Sequence, residues 1–152
     1  MTRPPHLLLV EAVFYEHIAA DLRRGAEAAV AAAGATCEIV SVPGSFEVAP
    51  AVALAARSSE RFDGFVALGC VIRGETTHYD HICAETARAL QELATRDGLA
   101  LGFGILTCEN EAQALVRASP DTAQGGRDQG GRAVRACLAL VELRRRFQGE
   151  AR

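Results

Sequence analysis

The chain has 152 residues, of which 49% are hydrophobic and 23% are charged, and its formal net charge is -3. This length suits one domain with its own core, and the composition is that of a folded globular protein rather than a disordered one. A slightly acidic chain has no electrostatic attraction to nucleic acid or to an anionic membrane surface. We therefore predict a single domain over residues 1–152 that binds neither nucleic acid nor membrane.

The basic residues are all arginine, because the sequence contains no lysine. The absence of lysine excludes a lysine nucleophile, a pyridoxal Schiff base and the lysine of a phosphate-binding P-loop. It also argues against a response-regulator receiver domain, which needs a lysine near its acidic pocket.

The cysteines are odd in number and widely spaced, and no two of them form a C-x-x-C pair. This spacing favours buried thiols in a reducing cytosol over a disulfide framework or a zinc site. The segment Met1–His6 does not resemble a secretion signal, and no apolar stretch approaches the ~20 residues of a membrane span. We therefore expect a cytoplasmic protein.

Short apolar runs alternate with longer helical patterns along the chain. Leu7–Val10 is typical of a strand that is buried on both faces. From Ile18 to Val30, apolar residues recur every four positions, which indicates one face of a helix that ends at Gly34. The other predicted strands are Cys37–Val42, Phe65–Ile72 and Leu99–Leu106, and the other predicted helices are Glu47–Arg57, Thr77–Arg96, Glu109–Ala118 and a last helix after the glycine-rich stretch Gln124–Gly131.

Four buried strands that alternate with helices predict a parallel sheet with helices on both faces. We therefore expect a flavodoxin-like three-layer α/β/α sandwich with a four-stranded parallel sheet, in which Phe65–Ile72 is the central strand. Ligands of such sheets bind outside the carboxyl ends of the strands. The candidate site therefore lies in the segments that follow the strands, which are Glu11–Tyr15, Pro43–Glu47, Arg73–Tyr79 and Thr107–Asn110.

The segment after the third strand carries the most polar chemistry. Gly74 precedes the hydroxyls of Thr76 and Thr77 at a predicted helix start, where free N–H groups and the helix dipole favour an anion. His78 comes next, and an imidazole titrates near neutral pH. These residues suit a phosphate beside a proton carrier, and they equally suit a capped helix with a surface histidine.

His78, Asp80 and His81 raise the alternative of a metal site. On a helix, His78 and His81 share a face, whereas Asp80 points elsewhere. Because no third ligand stands at a useful spacing, we expect no metal.

Other segments also have two interpretations. Pro43–Glu47 offers backbone N–H groups, a ring and a carboxylate to a ligand, or it is a capped turn with Phe46 in the core. Phe14 is either a core residue or a stacking platform, and Arg117 is either a solvated charge or a phosphate ligand. Gly102–Gly104 superficially resembles a dinucleotide fingerprint, but it falls inside a predicted strand and lacks the third glycine.

Four motifs in register connect this sequence to a known family. They are Val42–Val48, Gly69–Asp80, Gly102–Thr107 and the E-N-x-x-Q-A-x-x-R pattern that ends at Arg117. From Leu7 to about Phe147 the chain resembles the 6,7-dimethyl-8-ribityllumazine synthase family. The resemblance implies a cofactor-free condensation of 5-amino-6-(ribitylamino)uracil with 3,4-dihydroxy-2-butanone 4-phosphate, with release of phosphate and water, in riboflavin biosynthesis.

The resemblance also implies which residues hold the pyrimidine substrate. Phe14 stacks on its ring. The ribityl chain is held by Ser45, Phe46 and Glu47, and the ring pocket is lined by main-chain groups of Cys70, Val71 and Ile72.

For the phosphorylated substrate, the resemblance implies contacts at the predicted helix start. Glu75 and Thr76 meet the phosphate, and His78 moves protons during imine formation and elimination. A neighbouring subunit contributes Phe103 and Arg117, with the arginine on the phosphate.

In two positions the sequence departs from the family pattern. The family often has an arginine before the stacking aromatic, where this chain has Val13. It commonly has a lysine near the phosphate before the last helix, where this chain has Gln129, although Arg127 is close enough to compensate. These departures are the features that favour the alternative of a non-catalytic homologue that binds lumazine or flavin.

The segment Ala118–Gly131 is a few residues longer than in family members that build sixty-subunit capsids. The resemblance therefore predicts a homopentamer with active sites between neighbouring subunits, and riboflavin synthase as a further partner. A flavodoxin-like FMN carrier is disfavoured, because Glu11–Tyr15 lacks the glycines and hydroxyls of a phosphate loop.

Overall fold

A computed structural model describes residues 3–149 of the chain. The predicted domain also includes residues 1, 2 and 150–152, and the first two belong to the N-terminal segment considered above; all five lie outside the described residues. No helix within residues 3–149 is long and apolar enough to span a bilayer. The strands are β1 (His6–Ala12), β2 (Thr36–Val42), β3 (Gly64–Ile72) and β4 (Leu101–Cys108), and the helices are α1 (Glu16–Ala32), α2 (Val48–Ser58), α3 (His78–Asp97), α4 (Glu111–Ala118) and α5 (Gln129–Phe147).

The strands form one parallel sheet in the order β2-β1-β3-β4. Side chains alternate across it, so that Leu7 and Leu9 of β1 join a core with α1 and α5, whereas Leu8 and Val10 join a core with α2 and α3. The three-layer α/β/α architecture with a four-stranded parallel sheet is therefore confirmed, and β3 is one of the two inner strands.

The expectation that all four strands are buried is wrong for β2. This strand lies at one edge of the sheet, and none of its residues is fully buried. At the other edge, β4 exposes Phe103 and Thr107. An apolar run alone does not distinguish an inner strand from an edge strand, because the difference depends on which neighbours cover it.

Two predicted boundaries shift for local reasons. The structure starts α4 at Glu111 rather than at Glu109, because Asn110 is its N-cap and its side chain accepts a hydrogen bond from Gln113 N at 2.9 Å. The strand predicted from Leu99 begins two residues later, after Gly98 has ended α3 in the left-handed conformation with φ 65°.

The last helix begins inside the glycine-rich stretch that the sequence assigned to a loop. Asp128 is its N-cap, and Asp128 Oδ1 accepts a hydrogen bond from Gly131 N at 3.2 Å. A Cβ at Gly130 would overlap the main chain of Leu22 on α1. The glycine is therefore needed for the close approach of α1 and α5, and this packing fixes the helix start.

Candidate active site

A cavity of about 590 Å³ opens beside the first turn of α3, at the carboxyl ends of β1 and β3. This is the edge where a parallel sheet is expected to bind its ligand. The cavity brings together three segments that are remote in the sequence. Its lining residues are Phe14, Tyr15, Gly44, Ser45, Phe46, Glu47, Cys70, Val71, Ile72, Gly74, Thr76, His78, Tyr79 and Ile82.

The rings of Phe14 and Phe46 line the cavity without entering the core. Phe14 is 72% exposed and Phe46 is 53% exposed. Tyr15 meets the Phe14 ring edge-on, with centroids 5.0 Å apart and an interplanar angle of 81°. Because the rings are open, the interpretation of either residue as core filling is excluded for the single chain, and a stacking surface remains.

The turn before α2 supplies a polar wall. Residues Ser45–Glu47 form one turn of 3₁₀ helix, in which Glu47 N donates to Gly44 O at 3.1 Å. Ser45 is 7% exposed, and its Oγ has no hydrogen-bond partner among residues 3–149. A buried hydroxyl without a partner costs about 1–3 kcal/mol, so a ligand hydroxyl that reached it would be favoured. Together with the Glu47 carboxylate, this wall suits a polyhydroxylated chain.

The end of β3 offers main-chain groups to the cavity. The ladder between β1 and β3 ends at the Glu11–Leu68 pair, whereas β3 continues to Ile72 and stays paired with β4 on its other edge. The β1-side edge of the last four residues therefore has N–H and C=O groups available for a ligand. Burial and then the neighbouring Cys108 raise the pKa of the Cys70 thiol to about 12, which disfavours its reactive thiolate form.

The N-terminus of α3 forms the end of the cavity where an anion is favoured. Thr77 is the N-cap residue but makes no side-chain cap hydrogen bond. His78 N donates to Thr76 Oγ1 at 3.3 Å. Asp80 N also donates, to Thr77 O at 3.0 Å. The N-terminus of this 20-residue helix carries the positive end of the helix dipole, which favours an incoming anion. His78 stands exposed at this position.

Three predicted site residues lie outside the cavity of the single chain. Glu75 is exposed in the loop beside Thr76. Phe103 lies on β4 and is 40% exposed. Arg117 is half-buried on α4, where its Nη1 donates to Gln113 O at 3.1 Å. The cavity of the single chain therefore lacks the Phe103 ring and the Arg117 guanidinium, which the resemblance assigns to a neighbouring subunit.

Both departures from the family pattern leave the cavity lining unchanged. Val13 donates its main-chain N–H to Val42 O at 3.0 Å. Gln129 is the first residue of α5 and is also outside the lining. Arg127 N donates to Val116 O at 2.9 Å, which holds Arg127 beside the residue that precedes Arg117. Two arginines thus lie close together in this region.

The model of the 6,7-dimethyl-8-ribityllumazine synthase family matches residues 4–145. The chain belongs to this family. It is 49% identical over 152 residues to 6,7-dimethyl-8-ribityllumazine synthase 1 of Rhizobium meliloti (strain 1021), covering 97% of each chain. It is 51% identical over 140 residues to the lumazine synthase of Novosphingobium aromaticivorans, covering 92% of this chain and 96% of that one. Over 149 residues it is 45% identical to the lumazine synthase of Agrobacterium fabrum, covering 95% of this chain and 98% of that one.

In this member of the lumazine synthase family, the cavity also contains side chains that the sequence did not single out. Tyr15 and Tyr79 follow Phe14 and His78 in the sequence, at two of the segments that the sheet rule indicated. Ile82 lies one helical turn after His78. Helical periodicity was therefore the signal that would have found Ile82.

Of His78, Asp80 and His81, Asp80 forms an ion pair with an arginine in this lumazine synthase family member. The Asp80 carboxylate accepts hydrogen bonds from Arg73 at 3.2 and 3.3 Å. No group of three or more His, Cys, Asp or Glu side chains between residues 3 and 149 is placed to hold a metal ion.

Proposed function

We propose that this chain catalyses the condensation of 5-amino-6-(ribitylamino)uracil with 3,4-dihydroxy-2-butanone 4-phosphate to 6,7-dimethyl-8-ribityllumazine, without a cofactor. The observation that supports it most is the composition of one cavity. An exposed ring, an unpaired buried hydroxyl, a free strand edge and an uncapped helix start meet there, with His78 beside them. Each suits a different part of the two substrates.

The pyrimidine substrate fits the half of the cavity near β1 and β3. Phe14 stacks on the ring, and the free main-chain edge at Cys70–Ile72 bonds the uracil N–H and C=O groups. The ribityl chain lies along Ser45–Glu47, where its hydroxyls pair with Ser45 Oγ and the Glu47 carboxylate. Stacking and hydrogen bonding together fix the direction of the reacting amine.

The phosphorylated ketone fits the other half, at the start of α3. Its phosphate meets the backbone of Glu75 and Thr76 and the helix dipole. The substrate amine attacks the ketone, and one water leaves as the imine forms. Elimination of phosphate leaves an enol, which tautomerises to a second ketone. The second amine attacks this ketone, and the ring closes with loss of a second water. Both substrates carry their own reactive groups, so the protein contributes positioning and proton transfer, with His78 as the proton carrier.

The phosphate needs a cation that this chain's own cavity does not hold, because the lining residues include no arginine and the chain has no lysine. A neighbouring subunit supplies it as Arg117, together with the ring of Phe103, and Arg127 adds charge nearby. The assembly is a homopentamer, for which the long segment Ala118–Gly131 is the supporting feature. The protein works in the cytoplasm, with riboflavin synthase as the partner that consumes its product.

A binding protein without turnover has no support from the site. Its only motivation was Val13 and Gln129, and neither residue alters the cavity lining. Phe14, Thr76 and His78, three of the residues proposed to act, line the cavity.

The proposed role of His78 is tested by lumazine formation in the His78→Ala variant. Loss of the proton carrier lowers turnover by about 10²–10⁴-fold. His81→Ala is the matched control, because His81 is exposed on the same helix and outside the lining. An unchanged rate in His78→Ala would assign the proton transfers to water or substrate.

The shared site is tested by mixing two inactive variants. His78→Ala and Arg117→Ala chains are unfolded together, refolded as mixed assemblies and assayed. If each site uses His78 of one subunit and Arg117 of the next, some sites in the mixture contain neither substitution, and activity returns. Activity that stays at the level of the separate variants would place both residues in one chain's site.

A further inference from the structure

Arg73 joins two loops at the mouth of the cavity. It directly follows β3, and its N–H donates to Cys108 O at 2.9 Å. Its guanidinium donates from Nε to Glu109 Oε2 at 2.7 Å and from both Nη atoms to the Asp80 carboxylate at 3.2 and 3.3 Å. The Cζ atom also lies 4.3 Å from the ring centroid of Tyr79. One side chain therefore contacts the first turn of α3 and the segment that leads into α4.

The contact with Glu109 continues into α4. Glu109 N donates to Gln113 Oε1 at 2.8 Å, and Gln113 N donates to Asn110 Oδ1 at 2.9 Å, which caps the helix reciprocally. Gln113 O in turn accepts from Arg117 Nη1 at 3.1 Å. The Arg73 contacts thus connect the start of α3 with the helix that carries Arg117.

The loop between these contacts has few other restraints. Residues 74–78 are all exposed, and a Cβ at Gly74 would meet no atom within 4 Å. Thr77 makes no side-chain cap hydrogen bond. Arg73 precedes this loop and Asp80 follows it, so their ion pair closes the loop that carries Thr76 and His78.

We propose that Arg73 is a positioning residue, which fixes the loop 74–77 and the first turn of α3 so that the phosphate subsite and His78 keep their geometry. This inference rests on the proposed function, because it concerns the same site. Exposed ion pairs contribute little to folding stability. Loss of the ion pair affects catalysis more than stability, because the loop binds an anion and carries a proton donor. Displacement of such groups by about 1 Å can cost 10²-fold in rate.

The chain contains a close match to this arrangement far from the cavity. Arg61 donates from Nε and Nη2 to the Glu38 carboxylate, both at 2.9 Å, and its Cζ lies 4.5 Å from the ring centroid of Phe62. It precedes β3, at the end of the sheet opposite to the cavity. Arg61→Gln therefore removes the same chemistry as Arg73→Gln without touching the loop 74–77.

The test compares these two variants for binding of inorganic phosphate and for kinetics. Arg73→Gln raises the dissociation constant of phosphate and the KM of the butanone phosphate about 10- to 100-fold, because the loop loses its fixed geometry. The KM of the uracil substrate changes by less than about threefold, because Phe14 and the end of β3 are untouched. Arg61→Gln leaves all three constants at the wild-type values, while both variants unfold at similar temperatures.

The conservative variant Arg73→Lys keeps the charge but not the fork that reaches two carboxylates, so it recovers only part of the phosphate affinity. Equal phosphate binding by wild type and Arg73→Gln, or full recovery with lysine, would overturn the inference. Phosphate binding is measured by calorimetry without turnover. A wild-type protein that forms no lumazine would therefore refute the proposed function while this comparison still decides on Arg73.

Discussion

Replacement of Phe14 by alanine separates substrate binding from folding. The ring is 72% exposed, so its removal leaves almost no cavity in the core and costs less than about 1 kcal/mol of unfolding free energy. Stacking of a base on an aromatic side chain contributes about 1–3 kcal/mol, and each 1.4 kcal/mol corresponds to a factor of ten. Phe14→Ala therefore weakens binding of the uracil substrate and of the lumazine product about 5- to 150-fold.

The assay is a fluorescence titration with the lumazine, followed by a thermal melt of the same samples. Phe147→Ala is the matched control, because Phe147 is 77% exposed and lies at the end of α5, outside the cavity. Phe14→Trp keeps a flat ring and retains most of the affinity. If Phe14→Ala binds lumazine as tightly as the Phe147→Ala control, the stacking role of the Phe14 ring is refuted.

Three further predictions concern packing, pH and phosphate. Gly130→Ala lowers the free energy of unfolding by about 1–3 kcal/mol, because the new Cβ meets the main chain of Leu22. This clash outweighs the better helix propensity of alanine. Unchanged stability in denaturant unfolding would contradict this contact. Hydrogen bonds from Arg61 and then from His6 lower the pKa of the exposed Glu38 carboxyl to about 2. Because solvent screens an exposed ion pair, Glu38→Gln destabilises the protein only slightly at neutral pH, and this difference from wild type disappears as pH falls from 4.5 towards 2. A stability difference between Glu38→Gln and wild type that does not change with pH would exclude the ionised Glu38 carboxylate as its cause. Gln129→Lys lowers the KM of the butanone phosphate roughly three- to tenfold, whereas no change would make this position irrelevant to phosphate.

Much of the fold was predictable because local patterns and core packing agree. The four-residue repeat from Ile18 to Val30 is the buried face of α1, and the predicted strand Phe65–Ile72 lies wholly within β3. The errors occur where tertiary contacts decide. Gly130 lies in a helix rather than a loop because α1 approaches it closely. Burial of an edge strand depends on what covers it, since β2 is only partly buried at one edge whereas β4 is mostly buried at the other.

The edge of the sheet at which the cavity lies was also predictable, since the carboxyl ends of the strands indicated it. The solvent exposure of Phe14 and Phe46 was not predictable, because an aromatic residue after a strand is equally suited to the core. Nor could the sequence show that Arg73 reaches both Asp80 and Glu109, which are 7 and 36 residues away. The roles carried over from the family resemblance, including those of Phe103 and Arg117, stay predictions.

Turnover is the property to measure first. The purified protein is mixed with an excess of both substrates, and lumazine absorbance and phosphate release are followed against the uncatalysed background. We predict that lumazine and phosphate appear together, faster than the background, in proportion to protein concentration and far beyond one equivalent per chain. Formation at the background rate, with tight binding of added lumazine, would contradict catalysis and identify a binding protein.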